Sequence, residues 1–303
     1  MSFRLFIYYC ALCGGSGGFA GWAVGRLLHG TTTLDAGLKG LLFGMPVALA
    51  LSLVDALCNL SLRQTALVIQ RVATAALVGG IGGFFGGLIS QSLGTVAPPI
   101  GPGLGWAVAG ALIGGAPAVF DLMVAASSGL GMRGAGRKML NGLLGGVAGG
   151  FLGGMLATLF AQLCASAYGD KPADRLWSPS AIALVALGSC IGAMVALAQV
   201  YLKEAWLRVE VGPRAGRELI LTKPVITLGH SQGCDIGLTS ENGVERVHAR
   251  LTRQGNAYVL TDVGSVSGTY VNGERLDGPR ALRGGDAIRV GDCLLRFGER
   301  RRR

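Results

Sequence analysis

The chain has 303 residues, half of them hydrophobic, with 52 glycines, 15% charged residues and a formal net charge of +10. Soluble domains carry nearer a quarter charged residues, which excludes one soluble globular domain as a description of the whole. Residues 1–202 hold 10 Lys/Arg and 5 Asp/Glu, whereas residues 203–303 hold 17 and 12, so an apolar domain is followed by a charged, soluble one. The seven cysteines form no disulfide framework, and three dispersed histidines suggest no metal centre. Cys10 and Cys13 make a C-x-x-C inside an apolar run, where they read as small packing residues rather than a redox pair. No cofactor is expected.

Six apolar stretches are long enough to span a bilayer, which takes about 20 helical residues. They run near 5–25, 41–60, 72–93, 104–124, 139–163 and 181–201. The first reads as a span rather than a cleavable signal peptide, having a single flanking Arg4 and no compact apolar core. A glycine cassette occurs three times: C-G-G-S-G-G-F-A-G-W (Cys13–Trp22), V-G-G-I-G-G-F-F-G-G (Val78–Gly87) and G-G-V-A-G-G-F-L-G-G (Gly145–Gly154). It lies on the first, third and fifth spans, which gives three parallel two-helix repeats at about 5–62, 72–130 and 139–202. Spans two and four also share G-L-L-F-G (Gly40–Gly44) and G-A-L-I-G (Gly110–Gly114). Glycines four apart lie on one helix face, and in lipid such faces bring helix backbones together. Packing within one subunit is the first expectation, with homo-oligomerisation or a glycine-lined path for a small solute as the alternatives.

With the N-terminus in the cytoplasm, inner segments carry Arg4, Arg63, Arg71, Arg133, Arg137, Lys138, Lys203 and Arg208. Outer ones carry Arg26, Lys39, Lys171 and Arg175. Eight against four favours both termini inside, and the Ala/Gly/Leu/Arg bias suggests a bacterial inner membrane. Asp55 and Asp121 fall within the second and fourth spans, and Gln199 stands as far after Gly188 as Asp55 does after Gly44. Charge at membrane depth marks a functional candidate. Ion or proton coupling and plain helix-end contacts both remain open for these three, and no paired set of charges is evident.

From about Trp206 the pattern alternates. Short strands are predicted at Val225–Leu228, His248–Leu251, Tyr258–Leu260, Thr269–Val271, Ala287–Val290 and Leu294–Phe297. Turns fall at Gln254-Gly255-Asn256, Asn272-Gly273, Arg283–Asp286 and Gly291-Asp292. This is the signature of a β-sandwich. Lys203–Arg208 contains no Gly/Pro linker, so a continuation of the sixth helix toward the sandwich is expected. Arg300–Arg303 make a basic tail (299–303) suited to anionic lipid.

The ordered motifs I-T-L-G-H-S-Q-G-C-D-I-G-L, V-E-R-V-H-A-R-L, L-T-D-V-G-S-V-S-G-T-Y-V-N-G and L-R-G-G-D-A-I-R-V-G resemble the forkhead-associated (FHA) family over about 206–298. The resemblance implies a β-sandwich whose apical loops bind phosphothreonine peptides, without catalysis. It also implies a pocket, whose positions here are His230, Glu245, Arg246, Val266 and Ser267. His230 stands where the family has Arg, and Glu245 where it has Ser. Arg246 occupies a position often basic, Val266 replaces Thr and Ser267 replaces Asn. The supporting positions Gly229, His248, Asp262, Gly264, Ser265, Gly268, Asn272 and Gly273 are retained. A phosphate is best held by an Arg fork, which an imidazole lacks. Two like charges 4 Å apart repel by about 4 kcal/mol at an effective dielectric of about 20, so Glu245 opposes an anion. Two outcomes stay open: Arg246 pairs with Glu245 and closes the pocket, or Arg246 and His230 still bind phosphate weakly.

The expected fold class is therefore multi-domain: an all-α polytopic membrane domain (1–202), then an all-β FHA-like sandwich (206–298). The expected function is non-enzymatic. The domain would recruit a cytoplasmic protein partner, phosphorylated or not, to the lipid bilayer, with no nucleic acid involved. The alternative is a small channel or transporter regulated by the sandwich. A polar axis lined by Asp55 and Asp121 would favour that alternative, and a dry, glycine-packed centre the scaffold.

Overall fold

The computed structural model describes residues 3–59, 65–97, 100–127, 132–168, 178–212, 215–221, 225–231, 234–238, 243–254 and 257–300. Arg63, Lys171, Arg175, Gly255, Asn256 and Arg301–Arg303 lie outside these. The chain divides into two compact units, a helical one comprising 4–56 and 65–202 and a second containing 203–303.

The helical unit has six helices: α1 (Phe3–Gly25), α2 (Thr33–Asn59), α3 (Thr65–Gly94), α4 (Ile100–Ser127), α5 (Arg133–Tyr168) and α6 (Pro179–Tyr201). The helices α2 to α5 start earlier than the apolar runs alone indicate, because caps and polar first turns extend them. Ahead of α2, Thr32 Oγ1 accepts the Asp35 amide at 3.2 Å while Asp35 accepts the Thr32 amide at 2.9 Å, a reciprocal cap. Ser178 caps α6 ahead of Pro179, accepting the Ala181 amide at 3.2 Å. Five helices, α2 to α6, are long and apolar enough to cross a membrane among the described residues. The expected first span is not one of them: α1 is 23 residues long, but its glycines, tyrosines and Trp22 dilute its hydropathy.

Glycines determine how these helices meet. The cassette helices α1, α3 and α5 each lie between two of the other three. On α3, Gly79, Gly83 and Gly87 face α2, whereas Gly82 and Gly86 face α4. On α5, Gly146 and Gly150 face α4, and Gly145, Gly149 and Gly153 face α6. On α1, Gly17 and Gly21 face α2, and Gly14 and Gly18 face α6. The two adjacent glycine rows of each cassette thus serve two neighbours. Side chains do not fit: a Cβ on Gly149 would stand 2.7 Å from the Ile191 Cα, and one on Gly21 2.6 Å from the Phe43 Cα. Gly44 meets Gly79 and Gly83 while Gly110 meets Gly146 and Gly150. Gly44 therefore corresponds to Gly110, one turn away from the match between Gly40–Gly44 and Gly110–Gly114.

The inner helices α2, α4 and α6 touch one another. Phe43 packs edge-on to Trp106 with ring centroids 5.1 Å apart, Val195 lies against Gly114, and Leu51 against Gly192. Phe43, Val47, Leu51, Ile113, Leu187 and Ile191 are each at most 2% exposed. The centre is filled with apolar side chains.

The helix α6 ends at Tyr201, where the Leu202 amide still donates to the Ala198 carbonyl at 2.9 Å. Strand structure begins at Ala205, so the expected continuation of α6 is not formed: Ala205–Val211 alternates buried and open positions, a two-residue period that commits it to a sheet.

Eleven strands follow: β1 (Ala205–Val211), β2 (Glu218–Ile220), β3 (Val225–Gly229), β4 (Ile236–Gly237), β5 (Ala249–Gln254), β6 (Ala257–Asp262), β7 (Thr269–Val271), β8 (Glu274–Arg275), β9 (Arg280–Ala281), β10 (Ala287–Val290) and β11 (Cys293–Glu299). They form a six-stranded sheet, β2-β1-β11-β10-β7-β8, and a five-stranded one, β4-β3-β5-β6-β9. Inward residues of both, including Leu207, Leu228, Leu251, Leu260, Ile288, Leu295 and Phe297, are at most 1% exposed and form one core. Every strand read from alternation is present. The strand β1 was hidden because it directly follows the apolar run of α6, and β2, β4, β8 and β9 because two or three residues carry no period.

Candidate functional site

Gly229 closes β3 and lets two loops meet. The His230 amide donates to the Glu245 carbonyl at 2.8 Å and the Ser231 amide to the Arg246 carbonyl at 3.0 Å. A side chain on Gly229 would collide with this pairing, its Cβ standing 2.9 Å from the Val247 Cα. His248, fully buried, joins the loops from beneath. Its Nδ1 accepts the Glu245 amide at 3.2 Å, so Nε2 carries the proton and donates to the Gly268 carbonyl at 3.3 Å. One imidazole thus couples the loop before β5 to the loop before β7.

Asp262 organises the second loop. It accepts the amides of Gly264 at 2.8 Å and Ser265 at 2.7 Å, and the hydroxyls of Ser265 and Thr269, each at 2.6 Å. Partial burial would raise its pKa, but the bonds from Ser265, Thr269 and the Gly264 amide outweigh it and hold the carboxyl at about 2. Gly264 and Gly268 take φ of 87° and 74°, a region closed to most side chains. Asn272, with φ 54°, holds the far turn by donating to Asp286 and accepting the Ala287 amide, both at 2.9 Å.

The residues at the rim differ from this ordered base. His230 and Arg246 are exposed and Glu245 is half-buried. Among the described residues no ion pair joins Glu245 and Arg246. Closure of the pocket by that pair is thus not formed, because Arg246 extends into solvent. Val266 is 87% exposed, presenting methyl groups and no hydroxyl. The Ser267 hydroxyl is already donated to the Gly243 carbonyl. The rim presents an acid, Glu245, and an exposed apolar tip, Val266, at two of the positions that the family resemblance assigns to the pocket.

The two-sheet sandwich carries this braced set of loops at one end. Residues 226–291 match the FHA domain model, and this segment is an FHA domain. Similar curated proteins include an oxoglutarate dehydrogenase inhibitor of Corynebacterium diphtheriae, 38% identical over 91 residues, 30% of this chain and 62% of that one. The glycogen accumulation regulator GarA of Mycolicibacterium smegmatis is 38% identical over 93 residues, 31% of this chain and 58% of that one. The chain thus spans about three fifths of the length of these relatives. Among solved structures, one described by phosphothreonine-dependent FHA domain interactions aligns over 33% of this chain and all of the other, with 26% identity and a TM-score of 0.30. The FHA domain of an Arabidopsis thaliana protein aligns over 33% and 89%, with 26% identity and a TM-score of 0.31.

The helical unit holds a second cluster, which the sequence reading missed. Asp55 on α2 pairs with Arg71 on α3 at 3.2 Å and with Lys138 on α5 at 2.6 Å. Asp121 on α4 pairs with Lys138 at 3.1 Å and with Arg71, and Arg71 Nε reaches the Pro117 carbonyl at 3.4 Å. Asp55, Arg71 and Lys138 are each under 10% exposed. Paired charges are therefore present where none was expected. Arg71 and Lys138 each stand 13 residues before the cassette phenylalanines Phe84 and Phe151, which is the signal that could have found them. Gln199 is buried but joins none of the four by a hydrogen bond among the described residues.

Proposed function

We propose that this chain is a non-enzymatic integral membrane protein whose FHA domain faces the cytoplasm. It recruits or scaffolds a protein partner at the bilayer without the usual dependence on phosphothreonine. The observation that carries this reading is the rim: Glu245 lies beside His230 through their main-chain bond, at the place where a phosphate would need cations. The base of the site, from His248 to Asp262, keeps the loops in a fixed form, so a binding surface is retained while phosphate selectivity is given up. The relatives are named as an inhibitor and a regulator of metabolism, which suits a protein that acts by holding another.

The helical unit is read as the membrane anchor, built from three parallel two-helix units in which α1 is taken as a sixth span beside the five apolar ones, so that both termini lie inside. Support comes from repeated offsets. Glycines two before Phe19, Phe84 and Phe151 face α2, α4 and α6, and glycines one before them face α6, α2 and α4. Asp55, Asp121 and Gln199 each stand 11 residues after Gly44, Gly110 and Gly188. The apolar centre and the mutual pairing of the charges favour an anchor over a conduit. The bacterial inner membrane fits this reading.

The test is titration of the full chain in nanodiscs with a degenerate phosphothreonine peptide library and its unphosphorylated twin. The reading predicts no gain from phosphate. Micromolar binding that vanishes on dephosphorylation contradicts it.

A further inference from the structure

The outer face of the six-stranded sheet carries a band of arginine that the fold does not need. In antiparallel register, Glu218, Arg208, Arg296 and Ala287 form one row across β2, β1, β11 and β10. Leu294, Arg289, Tyr270 and Arg275 form the next across β11, β10, β7 and β8. Directly opposed residues share a face, so the band crosses all six strands, about 24 Å at the usual strand spacing. Arg208 and Arg296 oppose each other directly, an arrangement that destabilises a sheet. Arg296 is held by Glu210 at 2.5 and 3.1 Å, while Arg208 also has Glu218 opposite it on β2 and lies close enough to Glu210 to help lower its pKa. Among the described residues Arg208, Arg275 and Arg289 make no salt bridge, and all three are exposed. The Arg289 guanidinium carbon stands over Tyr270, 3.9 Å from the ring centre, a cation–π contact that holds it on the surface. The five-stranded sheet offers one exposed arginine on its strands β3, β5 and β6, Arg250.

We propose that this face docks on the anionic headgroups of the bilayer that holds the chain. The proposal rests on the membrane reading above. Charge complementarity selects the occupant: unpaired guanidiniums form strong bidentate bonds with phosphate oxygens, and a cytoplasmic leaflet offers these in a plane that a sheet face can meet. A chain held in the membrane is always close to that plane, so a few arginines suffice. Arg275, at one end of the band, lies beside Gly268 of the apical loops, whereas Arg208 and Arg296 sit on the central strands β1 and β11.

The experiment uses the full chain in nanodiscs of phosphatidylcholine alone or with phosphatidylglycerol. Arginines are modified by phenylglyoxal and quantified by peptide mass spectrometry. Modification of Arg208, Arg275 and Arg289 is expected to slow about fivefold in the anionic discs and to recover at high salt, with Arg250 unchanged. The combined Arg208→Gln, Arg275→Gln and Arg289→Gln variant loses the lipid-dependent protection of Arg296, with an unchanged melting profile. Equal rates in both discs overturn the proposal, as does equal slowing of Arg250. So does protection that appears only with added oligonucleotide. A chain that does not co-elute with discs overturns the membrane reading, and this proposal with it; a chain that co-elutes with equal rates overturns the proposal alone.

Discussion

Single residues decide what the apical rim recognises. If His230 and Glu245 are what remove phosphate selectivity, His230→Arg with Glu245→Ser restores it. The double variant should gain phosphothreonine binding by at least about tenfold over the parent, since one charge-assisted bond and one relieved repulsion are each worth more than 1 kcal/mol. Calorimetric titration with the same peptide pair checks this. Asp262 gives a prediction about acid. Its folded pKa, about 2, lies below the ordinary aspartate value of 3.8. Its contribution to stability is therefore complete above about pH 4 and is lost as pH falls toward 2. Thermal melts of Asp262→Asn should show a lower plateau near neutrality and lack the step between pH 4 and 2.

Among the helices, close approach rather than apolar surface sets the geometry. Gly149→Ala places a methyl group 2.7 Å from the Cys190 carbonyl oxygen and the Ile191 Cα, and overpacking of this kind costs about 1–3 kcal/mol. Gly136→Ala, on the same helix, meets nothing within 4 Å and should stabilise by about 0.5–1 kcal/mol through helix propensity. Reversible unfolding of both variants in detergent micelles separates packing from propensity. The charged cluster ties α2, α3, α4 and α5 together. Asp55→Asn leaves Arg71 and Lys138 buried with half their acid partners, at a cost of about 3 kcal/mol. A combined Asp55→Asn and Lys138→Met change should cost less than the sum of the two single ones, measured by the same unfolding. The cassette was legible as contact faces because glycines four apart put the smallest side chains on one helix face, where backbones can approach. Its division between two neighbours was not, since sequence marks which faces are small but not what they meet. The Asp55–Arg71–Asp121–Lys138 cluster escaped for the same reason: its members are up to 83 residues apart and each looks solitary in its own segment.

For the whole molecule, the boundary between an apolar helical part and a β-sandwich was legible from charge density and from the change of hydrophobic period from helical to alternating. The FHA domain was legible because its loops use glycine, histidine and aspartate at fixed places for geometric reasons, as Gly229, His248 and Asp262 illustrate. That Glu245 and Arg246 form no ion pair was not legible, because neighbours in a loop need not point at each other. In the proposed reading the helical unit is an anchor with an apolar centre, and the FHA domain a recognition module with an acid, Glu245, where the family resemblance puts a phosphate contact. The central claim is that this rim binds its partner without phosphate. It is tested most directly by calorimetry of the full chain in nanodiscs against the phosphothreonine library, before and after phosphatase treatment. The account predicts the same binding, or the same absence of it, in both samples. Micromolar affinity present only before phosphatase treatment, and abolished by Arg246→Ala, would contradict it.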